Sequence, residues 1–121
     1  MGKKSDDSVL DGALNVINAN MAAFHVNTAE PLDRAAAIAD SLADVAVDAT
    51  DGTLANGDTS GRKLTLGQQA AIPIDATGTA THIAIISATL LLYVTTCTSQ
   101  ALTSGGTVTI PAWDIEIADP V

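Results

Sequence analysis

One cysteine and three aromatic side chains are all that this 121-residue sequence has of either kind, and each shortage excludes something. A lone Cys97 forms no intramolecular disulfide, which fits a chain that folds in a reducing compartment. With only Phe24, Tyr93 and Trp113 as large rings, the core must be filled by Ala, Val, Ile and Leu, although hydrophobic residues make up 47% of the chain. A core of small side chains collects its burial energy at about 25 cal/mol per Å² from many contributors, and such domains often gain stability by oligomerising. Basic residues are also scarce: five against fourteen acidic ones give a formal charge of -9. That charge repels phosphate backbones and anionic membrane surfaces, so neither nucleic acid nor a membrane is an expected partner. The longest apolar run, Ile83 to Val94, is broken by Ser87 and Thr89 and falls short of the roughly 20 residues of a membrane span. Met1-Gly2-Lys3-Lys4 leads into Ser5-Asp6-Asp7 with no apolar stretch of a secretory signal, and Asp6 stands where myristoylation needs Ser or Thr. The chain is expected to fold in the cytoplasm, where it is made.

What is present is pattern. Ser5-Asp6-Asp7-Ser8 offers capping oxygens before Val9, Leu10, Ala13, Leu14, Ile17 and Met21, which recur at three and four. A helix over residues 6–21 is expected, preceded by an arm-like or disordered stretch over residues 1–5 and included in a single β-rich domain over residues 6–121. Asp7, Asp11, Asn15 and Asn18 fall largely opposite the apolar face. The helix either closes the core or lies as an arm on a partner; the second reading makes Lys3, Lys4, Val9 and Leu10 the candidate interface. Ala22 to Thr28 reads as a short strand. Pro31 to Asp44 can be written as a helix, and Val45, Val47 and Ala49 alternate as a strand. Asp51-Gly52 and Asn56-Gly57 mark turns, with Asp58 to Gly61 continuing the loop.

From Leu64 to Trp113 the only charged side chain is Asp75. Here Leu64, Leu66, Ala70, Ile72 and Ile74 alternate with polar neighbours, as half-buried strands do. Thr79 to Ser87 and Thr89 to Cys97 read as further strands, and Gln100 to Gly106 as a loop. The apolar phase then switches: Val108 and Ile110 are even, whereas Trp113, Ile115 and Ile117 are odd, so a bulge or bend is required at Pro111-Ala112. Strands that turn corners in this way indicate a mainly β fold, an antiparallel β-sandwich of jelly-roll-like type with an N-terminal α-helix.

No catalytic constellation emerges. Cys97 has no charged neighbour in sequence to lower its pKa, and His25 and His82 each sit inside an alternating segment. Asp48, Asp51 and Asp58 do not have the spacing of a calcium loop, and a solvated acidic face or a patch for a basic partner is the simpler reading of Asp40, Asp44, Asp48 and Asp51. No catalytic, cofactor-binding or metal-ligating residue is assigned. Sugar-binding sandwiches stack rings on their ligand, and this chain has few to spare; an exposed Trp113 would favour that alternative.

Gly78-Thr79-Ala80-Thr81-His82-Ile83-Ala84, Leu91 to Gln100, and Val108-Thr109-Ile110-Pro111-Ala112-Trp113 resemble small structural proteins of tailed bacteriophages, above all capsid decoration (cement) proteins. The resemblance covers about the C-terminal third and brings no catalytic or binding residues with it. It implies a non-enzymatic protein on the capsid exterior of a virion, bound to the major capsid protein as a homo-oligomer, trimer or dimer. A head-tail connector, tail or fibre component is the alternative.

Overall fold

The computed structural model describes residues 3–120. Met1, Gly2 and Val121 lie outside the described residues, so the expectation for residues 1–5 is addressed only from Lys3 onward. Helix α1 spans Asp7–Asn20, capped by Asp6, whose carboxylate accepts from the Ser8 amide at 2.9 Å. Of the apolar positions, Leu10, Leu14 and Met21 are buried and Ile17 is half-buried, whereas Val9 and Ala13 face solvent. The reading that set Asp11 and Asn18 opposite the apolar face is corrected by the same rotation. Asp11 forms an ion pair with Arg62 at 2.8 Å, and Asn18 reaches under Gly52.

The strands are β1 (Ala23–Asn27), β2 (Ser41–Ala46), β3 (Gly52–Asn56), β4 (Arg62–Leu66), β5 (Gln69–Pro73), β6 (Gly78–Ile86), β7 (Leu91–Leu102), β8 (Thr107–Ile110) and β9 (Trp113–Ile117). They form a four-stranded sheet β2-β1-β6-β7, a three-stranded sheet β3-β4-β9 and a two-stranded sheet β5-β8, with every pairing antiparallel. The fold is mainly β, consistent with a sandwich carrying an N-terminal helix; the jelly-roll arrangement is not established by this order. One core joins the layers. Phe24 and Val26 of β1 and Ile85 of β6 meet Leu64 and Leu66 of β4, Ile72 of β5 and Ile115 of β9, and Leu14 and Met21 of α1 close one end.

Several local expectations change. The helix written over Pro31 to Asp44 shrinks to α2 (Arg34–Ala39), started by Asp33, whose side chain accepts from the Ala36 amide at 2.7 Å. Ser41 onward is claimed by pairing with β1, from Asn27↔Ser41 to Ala23↔Ala46, so tertiary partners override alanine's helix preference. The strand expected at residues 45–49 therefore lies earlier. Asp48 and Asp51 instead make a capping box around a single 3-10 turn at Ala49–Asp51. Gly52 and Asn56, expected within turns, instead begin and end β3. It joins β4 through a tight turn in which the Gly57 amide donates to the Gly61 carbonyl at 2.9 Å and Gly61 takes φ +70. The single strand read from Leu64 to Asp75 is two strands in different sheets, separated at Gly67-Gln68. Ala70 faces solvent because Ala71, at φ 54, shifts the register of β5 against β8.

The phase switch at Pro111-Ala112 is where β8 ends and β9 begins, and there the chain passes from the β5-β8 sheet to the β3-β4-β9 sheet. Ile115 is buried, Trp113 and Ile117 are half-buried, and Asp114 and Glu116 are exposed, as the alternation requires.

Candidate interaction surface

Two of the three sheets, β2-β1-β6-β7 and β5-β8, connect almost into a ring. Strand β5 reaches β2 through an Ala43↔Ile74 bridge, supported by Asp75 and Ala76 amides donating to the Leu42 carbonyl at 2.7 and 3.2 Å. From there the order runs β8, β5, β2, β1, β6, β7, and the ring stays open between β7 and β8. Those two strands are consecutive in the chain and antiparallel neighbours in principle, joined only by Thr103 to Gly106, where Gly105 takes φ +91. Yet among the described residues they share no ladder. They form a hairpin that has not zipped.

Local sequence accounts for the opening. Against β6, the β7 register steps from Thr96 to Gln100 while β6 steps only from His82 to Ala80, so Cys97, Thr98 and Ser99 crowd opposite Thr81. A bulge of this kind bends its strand and leaves residues unpaired. Across the opening, Pro111 has no amide with which to close a ladder. The sequence-based loop from Gln100 is thereby corrected: β7 resumes beyond the bulge and runs to Leu102, pairing Leu102 with Gly78.

The result is an apolar groove with two adjoining lobes of about 200 and 260 Å³ that share Ile83, Cys97, Ile110 and Pro111. Val26, Ala80 and Leu102 deepen the first lobe towards the hairpin turn, and Trp113 walls the second. Thr96, Thr98 and Gln100 on the β7 rim are exposed, and no charged side chain lines either lobe.

All three rings of the sequence gather at one end of this groove. Trp113 meets Phe24 edge-on with centroids 6.1 Å apart and lies tilted against Tyr93 at 6.0 Å. Its indole N–H is buried without a hydrogen-bond partner among the described residues. Engaged on both sides, Trp113 is not the free stacking platform on which the sugar-binding alternative depends.

The other candidate groups are separated. Cys97 is half-buried and burial pushes its thiol pKa up, away from the reactive thiolate. His25, buried on the opposite face of the four-stranded sheet, lies 2.8 Å through Nδ1 from Ser41 Oγ, and burial holds its pKa below the ordinary 6.5. His82 bonds the neighbouring Thr81 hydroxyl at 2.8 Å. Asp48 and Asp51 serve their own turn and Asp58 accepts from Lys63 at 2.8 Å, so these carboxylates act as local caps and pairs. No group of three or more His, Cys, Asp or Glu side chains that could hold a metal occurs among the described residues.

Of the candidate N-terminal interface, Lys3 and Lys4 are exposed and Val9 is 63% exposed, but Leu10 is turned into the protein at 7% exposure and is withdrawn from that set. Val16, two turns on from Val9 and 53% exposed, takes its place on the outer face of α1. Sequence reasoning missed Val16, and it missed the groove rim at Thr96, Thr98 and Gln100. The helical repeat held a signal for Val16; for the rim the signal was only the charge-free run. No helix among the described residues is long and apolar enough to cross a membrane. Comparison with protein-family models, curated proteins and solved structures finds no match.

Proposed function

We propose that this chain is a non-enzymatic structural protein of a tailed-phage virion, which binds the assembled major capsid protein on the capsid exterior and braces it. The observation that carries this reading is the uncharged, open seam between β7 and β8 in a chain of net charge -9. A surface with free strand edges and apolar walls offers contact area with few charges to desolvate, which is what protein association needs and chemistry does not. The resemblance of residues 78–118 to decoration proteins supplies the virion setting, and that region contains β6, β7, β8 and β9.

Two surfaces divide the work in this reading. The outer face of α1, with Val9 and Val16 beside Lys3 and Lys4, faces the shell. Neither lysine forms an ion pair among the described residues, so both are available to acidic groups of the capsid protein. The β7–β8 seam serves association along the shell. Quantitative mass spectrometry of purified particles tests the reading. Copy numbers on the scale of the shell's own subunits, with added protein raising the heat resistance of shells that lack it, are the expected result. A single ring's worth of copies indicates a head-tail connector or fibre part, and absence from particles removes the virion assignment.

A further inference from the structure

We infer that the β7 edge is a homotypic interface, at which a second copy of this chain lays its own β7 antiparallel along the first and closes the open seam of both. The inference deepens the proposed role by naming the partner at that seam, and it rests on that reading only for its setting on a shell.

The argument is one of charge and edges. Every sheet here ends in strands with unsatisfied backbone groups, and such edges are templates for pairing unless charge, proline or distortion blocks them. The β3 edge is bracketed by Asp51 and Asp58, β9 carries Asp114 and Glu116, and β2 carries Asp44. β5, β7 and β8 have none, but β5 is held between β8 and the Ala43↔Ile74 bridge to β2, and β8 is four residues long and runs into Pro111. For two identical chains of charge -9, contact at the β2, β3 or β9 edge brings carboxylates together, and contact at β7 brings none. Beyond the N-terminal Lys3 and Lys4, which the proposed role assigns to the shell, the three basic side chains are already engaged. Arg62 is engaged by Asp11, Lys63 by Asp58 and Asp114 at 2.8 and 3.5 Å, and the Arg34 guanidinium donates to the Ser87 carbonyl at 2.8 Å.

Geometry agrees with charge. Between its irregularities β7 runs regularly from Tyr93 to Thr96, paired on one side to Ile85 through His82 and free on the other. Antiparallel pairing of identical strands about a two-fold axis keeps the two inner faces on the same side, because the axis stands perpendicular to the sheet. Two four-stranded sheets thereby become one of eight strands. The grooves lie on the inner side of each β7, so the partner strand covers Cys97 and the upper lobe beside Trp113 in both copies.

Sedimentation velocity on the full chain and on a Thr96→Glu/Thr98→Glu variant tests this. Both positions are exposed, so the folded monomer tolerates the change, and circular dichroism with a melting curve verifies that it is folded. The expected result is a dimer for the natural chain and a shift of at least tenfold towards monomer for the variant. A natural chain that stays monomeric at high concentration overturns the inference, as does a trimer, or a dimer that the two glutamates leave unchanged. If the variant is unfolded, Thr98→Lys alone is measured against the same outcomes. Particle copy number is read independently of all of these, so loss of the dimer and loss of the virion role are distinct results.

Discussion

The two ends of this sandwich are held by different physics. Around β3, β4, β9 and α1 the chain is stitched by charge: Arg62 to Asp11, Lys63 to Asp58 and Asp114, the Glu116 carboxylate to the Asp58 amide at 2.8 Å, and the Asp119 carboxylate to the Ser5 amide at 3.4 Å. Its core residues Leu64 and Leu66 are fully buried. Around β6, β7 and β8 there are no ion pairs among the described residues, Ile83 and Cys97 are only half-buried, and a groove separates strands that are neighbours in the chain. The contrast teaches that a low density of charge does not mark the innermost core. Part of the uncharged stretch is interior, and the rest lines an open groove.

Paired truncations should expose the contrast most strongly. Leu64→Ala is expected to destabilise by about 3–4 kcal/mol, as fully buried leucines do when a cavity is left. Ile83→Ala at the floor of the groove should cost about 1–2 kcal/mol, because its surroundings are already open to solvent. Urea denaturation of the two variants under conditions where the chain is monomeric measures the difference, and equal losses would erase the distinction between the two regions. Next in size comes Gly52→Ala. A Cβ there would collide with Asn18 Oδ1 and stand 2.9 Å from Leu64 Cδ1, so both side chains must shift from their packed positions, at an expected cost of about 1–3 kcal/mol. The same substitution at Gly12, where nothing lies within 4 Å, should leave stability unchanged or raise it slightly.

The smallest effect concerns the seam between β2 and β5. The Asp44 carboxyl hydrogen-bonded beside it, together with burial, raises Asp75 above its ordinary 3.8. A raised carboxyl favours the folded state below its unfolded value and loses that contribution as pH climbs through the raised one. Asp75→Asn should therefore raise the melting temperature at neutral pH, with the gain vanishing towards pH about 4. His25 acts with the opposite sign. Its lowered pKa gives stability above 6.5 that is lost as pH falls through the folded value, so the aspartate effect is best read against a His25→Gln background. A pH-independent gain in Asp75→Asn would show that the two carboxyl groups do not interact.

Much of the architecture was legible where the controlling interaction is local. Asp6 fixes the start of α1 through its own side chain, and the phase change at Pro111 forces a corner whatever surrounds it. Non-local choices were not legible. Helix α1 carries two apolar stripes, Val9-Ala13-Val16 and Leu10-Leu14-Ile17-Met21, and only packing on β4 decides which one turns inward. Alanines at 35–37 are helical while Ala43 and Ala46 are strand, because β1 supplies ladder partners to the latter alone. The groove depends on a bulge at residues 97–99 defined by its register against β6, and nothing in Thr95-Thr96-Cys97-Thr98 announces it. Sequence thus showed that residues 64–113 carry no charge but Asp75, without showing which of them line an opening.

Hydrogen exchange followed peptide by peptide across a dilution series tests the central claim most directly, since it reads both regions in one experiment. Rising concentration should slow exchange in β7 from Tyr93 to Gln100 and leave β4 and β9 as they were. Exchange in β7 that ignores concentration, or protection that grows equally in β4 and β9, would contradict the claim that the uncharged seam is where this protein meets its own kind.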